Sequence, residues 1–246
     1  MYITKIEIQG ESFPSKRFYP FNIPAIGGTR ELRLRSPVVF FVGENGSGKS
    51  TLLEAIARRC GIHLWDRPRR NRAYNNPFER RLADYVRVAW ANGRAAGSFF
   101  RAETFYEMAD LLDDVALCDP GRLAYHGGRI LHDLSHGEGI LSYFQGRLRV
   151  RGLYLLDEPE AALSPASQLR FLRLLQELTA PGGSQFLIAT HSPLLLACPG
   201  AQILSFDESG IKEVSYRETE HYRIYKQFFA NSQTSEVSQT SDVSKK

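Results

Sequence analysis

Residues 43–50 read Gly43-Glu44-Asn45-Gly46-Ser47-Gly48-Lys49-Ser50, which fits the pattern G-x-x-x-x-G-K-[ST]. Glycines at this spacing let the backbone curl until successive N–H groups and the start of the following helix face one anion. The chemistry is that of a phosphate chain. Lys49 is expected to reach the β- and γ-phosphates of ATP and to act catalytically. The Ser50 hydroxyl would ligate Mg²⁺, and Gly43 through Thr51 would hold the nucleotide. A second chemical pair stands far downstream, where the apolar run Leu153–Leu156 delivers Asp157 and Glu158. A carboxylate at the end of a strand can hold a magnesium-bound water opposite Ser50, so Asp157 is the second candidate metal residue. Glu158 beside it is placed to polarise an attacking water as general base.

These residues need elements to position them. Val38–Val42 is a solid β-branched and aromatic run, as a strand buried on both faces requires, and Lys49–Arg59 carries Leu52, Leu53, Ala55 and Ile56 at helical spacing. Tyr2–Ile8 and Glu31–Arg35 read as antiparallel strands, Leu153–Leu156 and Gln185–Ala189 as buried strands, and Ser167–Leu178 as a helix. Ile203–Phe206 and Ile211–Val214 flank the turn residues Asp207–Gly210 as a hairpin, and Thr219–Ala230 reads as a closing helix. The middle, about 60–134, mixes Arg-rich turns with stretches expected to be helical at Arg80–Trp90 and Thr104–Leu112. Strands alternating with helices imply an α/β fold: a mainly parallel sheet flanked by helices, with an N-terminal antiparallel β-layer and a helical insert. Residues 1–230 are expected to form one domain. Residues 231–246, where SQTSEVS and SQTSDVS repeat a polar six-residue unit, have too little apolar content to offset ordering entropy and are expected to be disordered.

Two further segments complete a series. Leu134-Ser135-His136-Gly137-Glu138-Gly139 ends 18 residues ahead of Asp157, and Gln185–Ala189 runs into Thr190-His191-Ser192-Pro193. With these, the chain resembles the ABC-type P-loop ATPases from about residue 38 to 193, since Leu134, Ser135 and Gly137 keep the Leu-Ser-Gly-Gly-Gln signature while His136 and Glu138 depart from it. The wording Leu155-Leu156-Asp157-Glu158-Pro159-Glu160-Ala161-Ala162-Leu163-Ser164-Pro165, with Thr190-His191-Ser192-Pro193, resembles the soluble AAA family ATPases of RecF-like and overcoming-lysogenization-like type more than it resembles transporter ATPases. The resemblance implies that His191 contacts the γ-phosphate and the attacking water, and that Glu160–Pro165 is the D-loop through which two such domains sense each other. It implies, too, that Ser135, His136, Gly137 and Glu138 act in trans, closing on the ATP held by another subunit. One copy of each motif therefore implies an ATP-dependent head-to-tail homodimer. The glutamine that transporter subunits carry between the P-loop and the signature has no counterpart, because Thr51 through Leu134 contains no Gln; the expected position reads Arg101-Ala102-Glu103, so Arg101 or Glu103 stands in for it. The 85 residues from Ser50 to Ser135 leave no room for a coiled-coil arm.

Composition sets the outer bounds. At 246 residues and 43% hydrophobic content the chain can bury a sizeable core, and its longest apolar runs hold only about five residues where a membrane helix needs ~20. Three widely spaced cysteines give no disulfide or zinc framework, so the expected location is cytoplasmic. The net charge of +4 is unevenly distributed: residues 58–101 hold eleven Arg against three acids, a local +8. The leading expectation is Mg²⁺-dependent ATP hydrolysis driving a separate partner. An ATP-gated nucleic-acid clamp, in repair or defence, would use the Arg58–Arg101 block, because Arg matches phosphate bidentately. A transporter ATP-binding subunit, which would need a membrane partner, is the least favoured reading. Phe18 and Tyr19 are the candidate adenine contacts, with packing of the β-layer as their alternative role.

Overall fold

The computed structural model describes residues 1–65, 76–180 and 183–243. Its first part runs β1 (Ile3–Ile8), α1 (Pro24–Gly27), β2 (Glu31–Arg33), β3 (Val38–Gly43), α2 (Lys49–Cys60), β4 (Val86–Trp90), β5 (Gly97–Arg101), α3 (Phe105–Cys118) and α4 (His136–Arg147). It continues β6 (Leu153–Asp157), α5 (Pro165–Leu178), β7 (Gln185–Ala189), α6 (Pro193–Leu196), β8 (Gln202–Asp207), β9 (Gly210–Val214) and α7 (Glu220–Val243). The main sheet has the order β5-β6-β7-β3-β8-β9, parallel except for the β8–β9 hairpin. A separate antiparallel sheet has the order β2-β1-β4. The α/β fold with an N-terminal β-layer is therefore present as read.

The unbroken apolar run in β3 follows from having a core on each side. Val39 and Phe41 pack with Ile3, Ile6, Leu52 and Ile56 beneath the β-layer and α2. Val38, Phe40 and Val42 pack with Phe100, Phe144, Phe171 and Phe186 on the opposite face. A strand that alternates between two dry layers has no position at which a polar side chain is tolerated.

One sequence expectation is corrected. Arg80–Trp90 is not a helix: after a short 3-10 turn, Val86–Trp90 forms β4 and pairs with β1, with Ile6 opposite Val88 and Ile8 opposite Val86. The β-branched residues at 86 and 88 favour a pleated ladder, and an open edge of β1 was there to receive them. Part of the supposed helical insert thus belongs to the β-layer. The closing helix runs from Glu220 to Val243. Once a first turn is anchored, each added residue contributes a backbone bond without a new nucleation cost. Residues 244–246 lie outside the described residues, as do Arg67, Arg69, Arg70 and Arg72 of the basic block.

Two buried glutamines fasten the β-layer to the main sheet. Gln185, at the start of β7, accepts from the Tyr2 and Ile3 amides at 2.7 and 2.8 Å and donates to the Ile3 carbonyl at 2.9 Å. Gln202, at the start of β8, accepts from the Arg35 amide at 3.0 Å and donates to the Arg33 carbonyl at 2.9 Å. Each carboxamide serves as a piece of backbone between two sheets that cannot otherwise pair. Gln185→Leu keeps the apolar volume but strands the N–H and C=O of buried Ile3; it is expected to destabilise the fold by about 3 kcal/mol, at ~1–3 kcal/mol per stranded group, which urea denaturation measures.

Candidate active site

The loop after β3 owes its shape to two glycines. Gly43 has φ +149°, and a β-carbon there would lie 2.6 Å from the Phe206 carbonyl oxygen; Gly48 has φ +103°, and its β-carbon would lie 2.8 Å from Ile23 Cγ2. Only glycine meets both the left-handed backbone and the close approach. The loop ends at the N-terminus of α2, where Lys49 is buried and its ammonium donates to the Gly43 and Glu44 carbonyls, each at 2.8 Å. Burial holds the Lys49 ammonium below its ordinary pKa, and Glu158, Asp157 and Glu44 partly offset the effect.

The two candidate carboxylates arrive at the end of β6, one strand removed from β3. The Ser50 hydroxyl donates to Asp157 Oδ1 at 2.7 Å, which unites the two residues read as metal ligands from positions 107 apart in sequence. These are hard oxygen donors of the kind Mg²⁺ takes, so the donor set fits that ion. Glu158, next along, has φ +50°, a left-handed conformation that costs a non-glycine residue roughly 1–2 kcal/mol. Its amide donates to the Ala189 carbonyl at 2.9 Å, which holds it there, and the residue lines the cleft beside the loop. A cleft of about 440 Å³ lies above, lined by Lys49, Ser50, Thr51, Gly46, Glu158 and Tyr19. The buried Ser47 hydroxyl on this loop has no hydrogen-bond partner, as expected of a group that serves a ligand.

His191 follows β7. Its amide donates to Glu160 Oε1 at 2.6 Å, and its Nε2 lies 3.9 Å from Glu158 Oε1. The structure thus brings the P-loop, Asp157, Glu158 and His191 to one end of the parallel sheet, where ligands of open α/β sheets bind. Phe18 and Tyr19 have different surroundings. Phe18 packs against Phe78 with ring centroids 6.0 Å apart, whereas Tyr19 lines the cleft and its hydroxyl is 3.1 Å from Thr51 Oγ1.

Arg101, at the end of β5, donates through Nε to Asp157 Oδ2 at 2.8 Å and through a terminal nitrogen to Glu54 Oε1 at 2.5 Å. Burial alone would weaken its charge, but Asp157 and Glu54 outweigh that and hold the guanidinium above its ordinary pKa. Parallel pairing of β5 with β6 sets Arg101 opposite Asp157 in register. Glu103 lines the adjoining cleft of about 780 Å³ with Arg101, Ser50, Asp157 and His136. Another arginine of the basic block, Arg81, pairs with Asp84 at 3.1 Å. Glu54 was not legible as part of the site, since a helical glutamate looks the same whether it faces water or an arginine.

The signature begins α4. Ser135 is its N-cap in a capping box with Glu138, whose carboxylate accepts from the Ser135 hydroxyl at 2.6 Å and from its amide at 3.2 Å. His136 lies against Tyr106 with ring centroids 4.1 Å apart. Gly137 touches the D-loop: a β-carbon there would come within 2.7 Å of the Ala162 carbonyl oxygen. Among the described residues, none of Ser135, Gly137 and Glu138 lines the cleft above the P-loop.

Comparison with known proteins agrees with this geometry. Residues 18–86 match the family described as "AAA domain", and residues 128–197 match "AAA domain, putative AbiEii toxin, Type IV TA system". The chain is 31% identical over 172 residues to a thiamine import ATP-binding protein, ThiQ, of Cereibacter sphaeroides, covering 62% of this chain and 69% of that protein. The chain belongs to the ABC-type ATP-binding proteins. It is an ATPase. The fold of this ATPase is that of solved cassettes, including a nucleotide-free ATP-binding cassette from an ABC transporter (TM-score 0.54, 17% identity, 87% of this chain and 92% of that one). Another is cbiO1 of Clostridium perfringens, part of an ABC transporter complex (TM-score 0.50, 18% identity, 97% and 99%).

Gly137→Ala adds one methyl where the signature meets the D-loop. It is expected to lower ATP turnover at least about tenfold while nucleotide binding, followed with a fluorescent ATP analogue, stays within about twofold, because the P-loop is untouched.

Proposed function

We propose that this ATPase works as a nucleotide-sandwich homodimer, each P-loop closed by the signature of the other copy, and that its opening and closing drives a separate partner. The supporting observation is the convergence of Ser50 and Asp157 at 2.7 Å, with Glu158 and His191 beside them, where Ser50 and Glu158 line the P-loop cleft, while Ser135, Gly137 and Glu138 stand outside that cleft and His136 lines the adjoining one. The N-terminus of α4 offers a second anion cradle, and such a cradle outside its own cleft requires another copy to be used.

In this reading Lys49 and the loop amides hold the phosphate chain, and Ser50 and Asp157 hold Mg²⁺. The ion supplies charge neutralisation at the β- and γ-phosphates when bound. Glu158 takes the proton of the attacking water, and His191 orients the γ-phosphate through Nε2. The strained backbone at Glu158 fixes the carboxylate against one position and limits its wandering. Arg101 occupies the place of the transporter glutamine, and its grip on Asp157 opposes metal binding there.

No helix among the described residues is long and apolar enough to cross a membrane. A second reading, an ATP-binding subunit serving a membrane partner, draws on the names of relatives such as the Cereibacter thiamine import protein. Arg101 in the glutamine position weighs for the first reading, a soluble armless head of RecF-like type. Whether nucleic acid is the partner is tested by binding at low salt with and without ATP.

Glu158→Gln is expected to bind ATP, accumulate as a dimer on size exclusion and hydrolyse ~10²–10⁴-fold more slowly; normal turnover would remove Glu158 from the role of base. Purifying that trapped dimer and identifying what remains with it names the partner. Arg101→Gln releases Asp157 Oδ2, so the Mg²⁺ concentration for half-maximal turnover is expected to fall about three- to tenfold. An unchanged Mg²⁺ titration would mean that Arg101 does not compete for that carboxylate.

A further inference from the structure

Among the groups outside the named motifs, one histidine reaches the reaction centre from the far end of the chain. His221 stands in the first turn of α7, which Thr219 opens by accepting the Tyr222 amide at 3.3 Å. Its Nε2 lies 3.3 Å from Nδ1 of His191, and the rings sit 5.5 Å apart between centroids. The remaining nitrogen of each ring, Nε2 of His191 and Nδ1 of His221, is buried without a hydrogen-bond partner.

We propose that His221 is a positioning residue that fixes His191 as the Nε2–H tautomer, turning that N–H towards the γ-phosphate. This rests on the reading of His191 as the γ-phosphate contact. Two neutral imidazoles share one proton in either of two ways. If His191 donated from Nδ1, its Nε2 lone pair would face the Glu158 carboxylate at 3.9 Å and any phosphate oxygen beyond it, so acceptor would meet acceptor. If His221 donates from Nε2, His191 presents a donor on the side where anionic oxygens gather. Burial holds both rings below the ordinary imidazole pKa, with the Lys49 ammonium adding to the effect and Glu220 partly offsetting it at His221, which favours the neutral form of each ring. Second-site control of a tautomer is the usual means by which a histidine is aimed.

The consequence reaches beyond one hydrogen bond. α7 goes on to carry Ile224, Tyr225, Phe228 and Phe229 with about half of each side chain exposed. A shift of that helix moves His221 and, with it, the proton position on His191. The C-terminal helix is thereby tied to the reacting end of the site.

The test uses the full chain labelled with ¹⁵N-histidine. In the wild type, His191 is expected to show the Nε2–H tautomer in long-range ¹H–¹⁵N spectra without nucleotide, and His221→Leu is expected to give a mixture. The same variant is expected to lose about tenfold in kcat with the KM for ATP within about twofold, and His221→Gln, whose amide can donate from a similar place, is expected to restore kcat to within about threefold of wild type. A wild-type His191 in the Nδ1–H tautomer overturns the proposal even if the Leu variant fails to fold, and so does an unaltered tautomer together with unaltered kcat in His221→Leu. His191→Ala separates the two levels: full turnover in that variant overturns the role of His191 itself, whereas a loss there with no effect at position 221 overturns only the part assigned to His221.

Discussion

A carboxylate with only 5% of its side chain exposed cannot stand alone, and the placement of Asp157 organises the rest of this site. Each oxygen is answered separately: Oδ1 by the Ser50 hydroxyl and Oδ2 by Arg101. A buried ion pair gives little net stability, but the loss of either partner leaves an uncompensated charge. The geometry around Asp157 is therefore over-determined. Ser50 comes from the helix after β3, Arg101 from the end of β5, and Glu54, one turn beyond Ser50, closes the circuit by holding the other side of Arg101.

That circuit depends on strand order. β6 lies between β5 and β7, and β7 borders β3, so Arg101, Asp157, Ala189 and the P-loop end together along one edge of the sheet. Parallel strands make this automatic, because every carboxyl end points the same way. The two apolar layers hold the register. A one-residue slip of β3 would exchange Phe40 with Phe41 between opposite cores and carry the loop with it. The glutamine bridges extend the same rigidity to the β-layer, whose β4 packs beside α2.

Legibility in the sequence follows the range of each interaction. The P-loop, the Asp157–Glu158 pair and the segment around His191 could be read because each is a local pattern: an apolar strand followed at once by a chemical residue. The strand at Val86–Trp90 could not, since five residues with two valines and a tryptophan suit either state until the edge of β1 is known to be free. Gln185 reads as an ordinary polar residue opening a strand, and nothing local marks its bonds to Tyr2 and Ile3. Glu54 and His221 share that fate. Arg101 was placed by its position relative to the motifs, but its grip on Asp157 comes from the β5–β6 register, which only the folded chain supplies.

The same pattern recurs at three separated groups. Lys49 is held by the carbonyls of its own loop, Asp157 by Arg101, and the Ser135 amide and hydroxyl by Glu138. A phosphate chain, a divalent ion or a neighbouring subunit must therefore exchange an existing hydrogen bond or ion pair for a new one. Exchange costs less than stripping a hydrated charge, but it also returns less, since only the difference between old and new partners appears as affinity. A site built in this way favours ligands that satisfy several groups together. A lone anion would gain Lys49 while leaving Asp157 with Arg101, whereas in the proposed dimer ATP with its metal, facing a second copy's α4, would offer a replacement for each internal partner. Under that proposal, cooperation between nucleotide, metal and partner subunit would follow from the pairing itself, without a larger rearrangement of the fold.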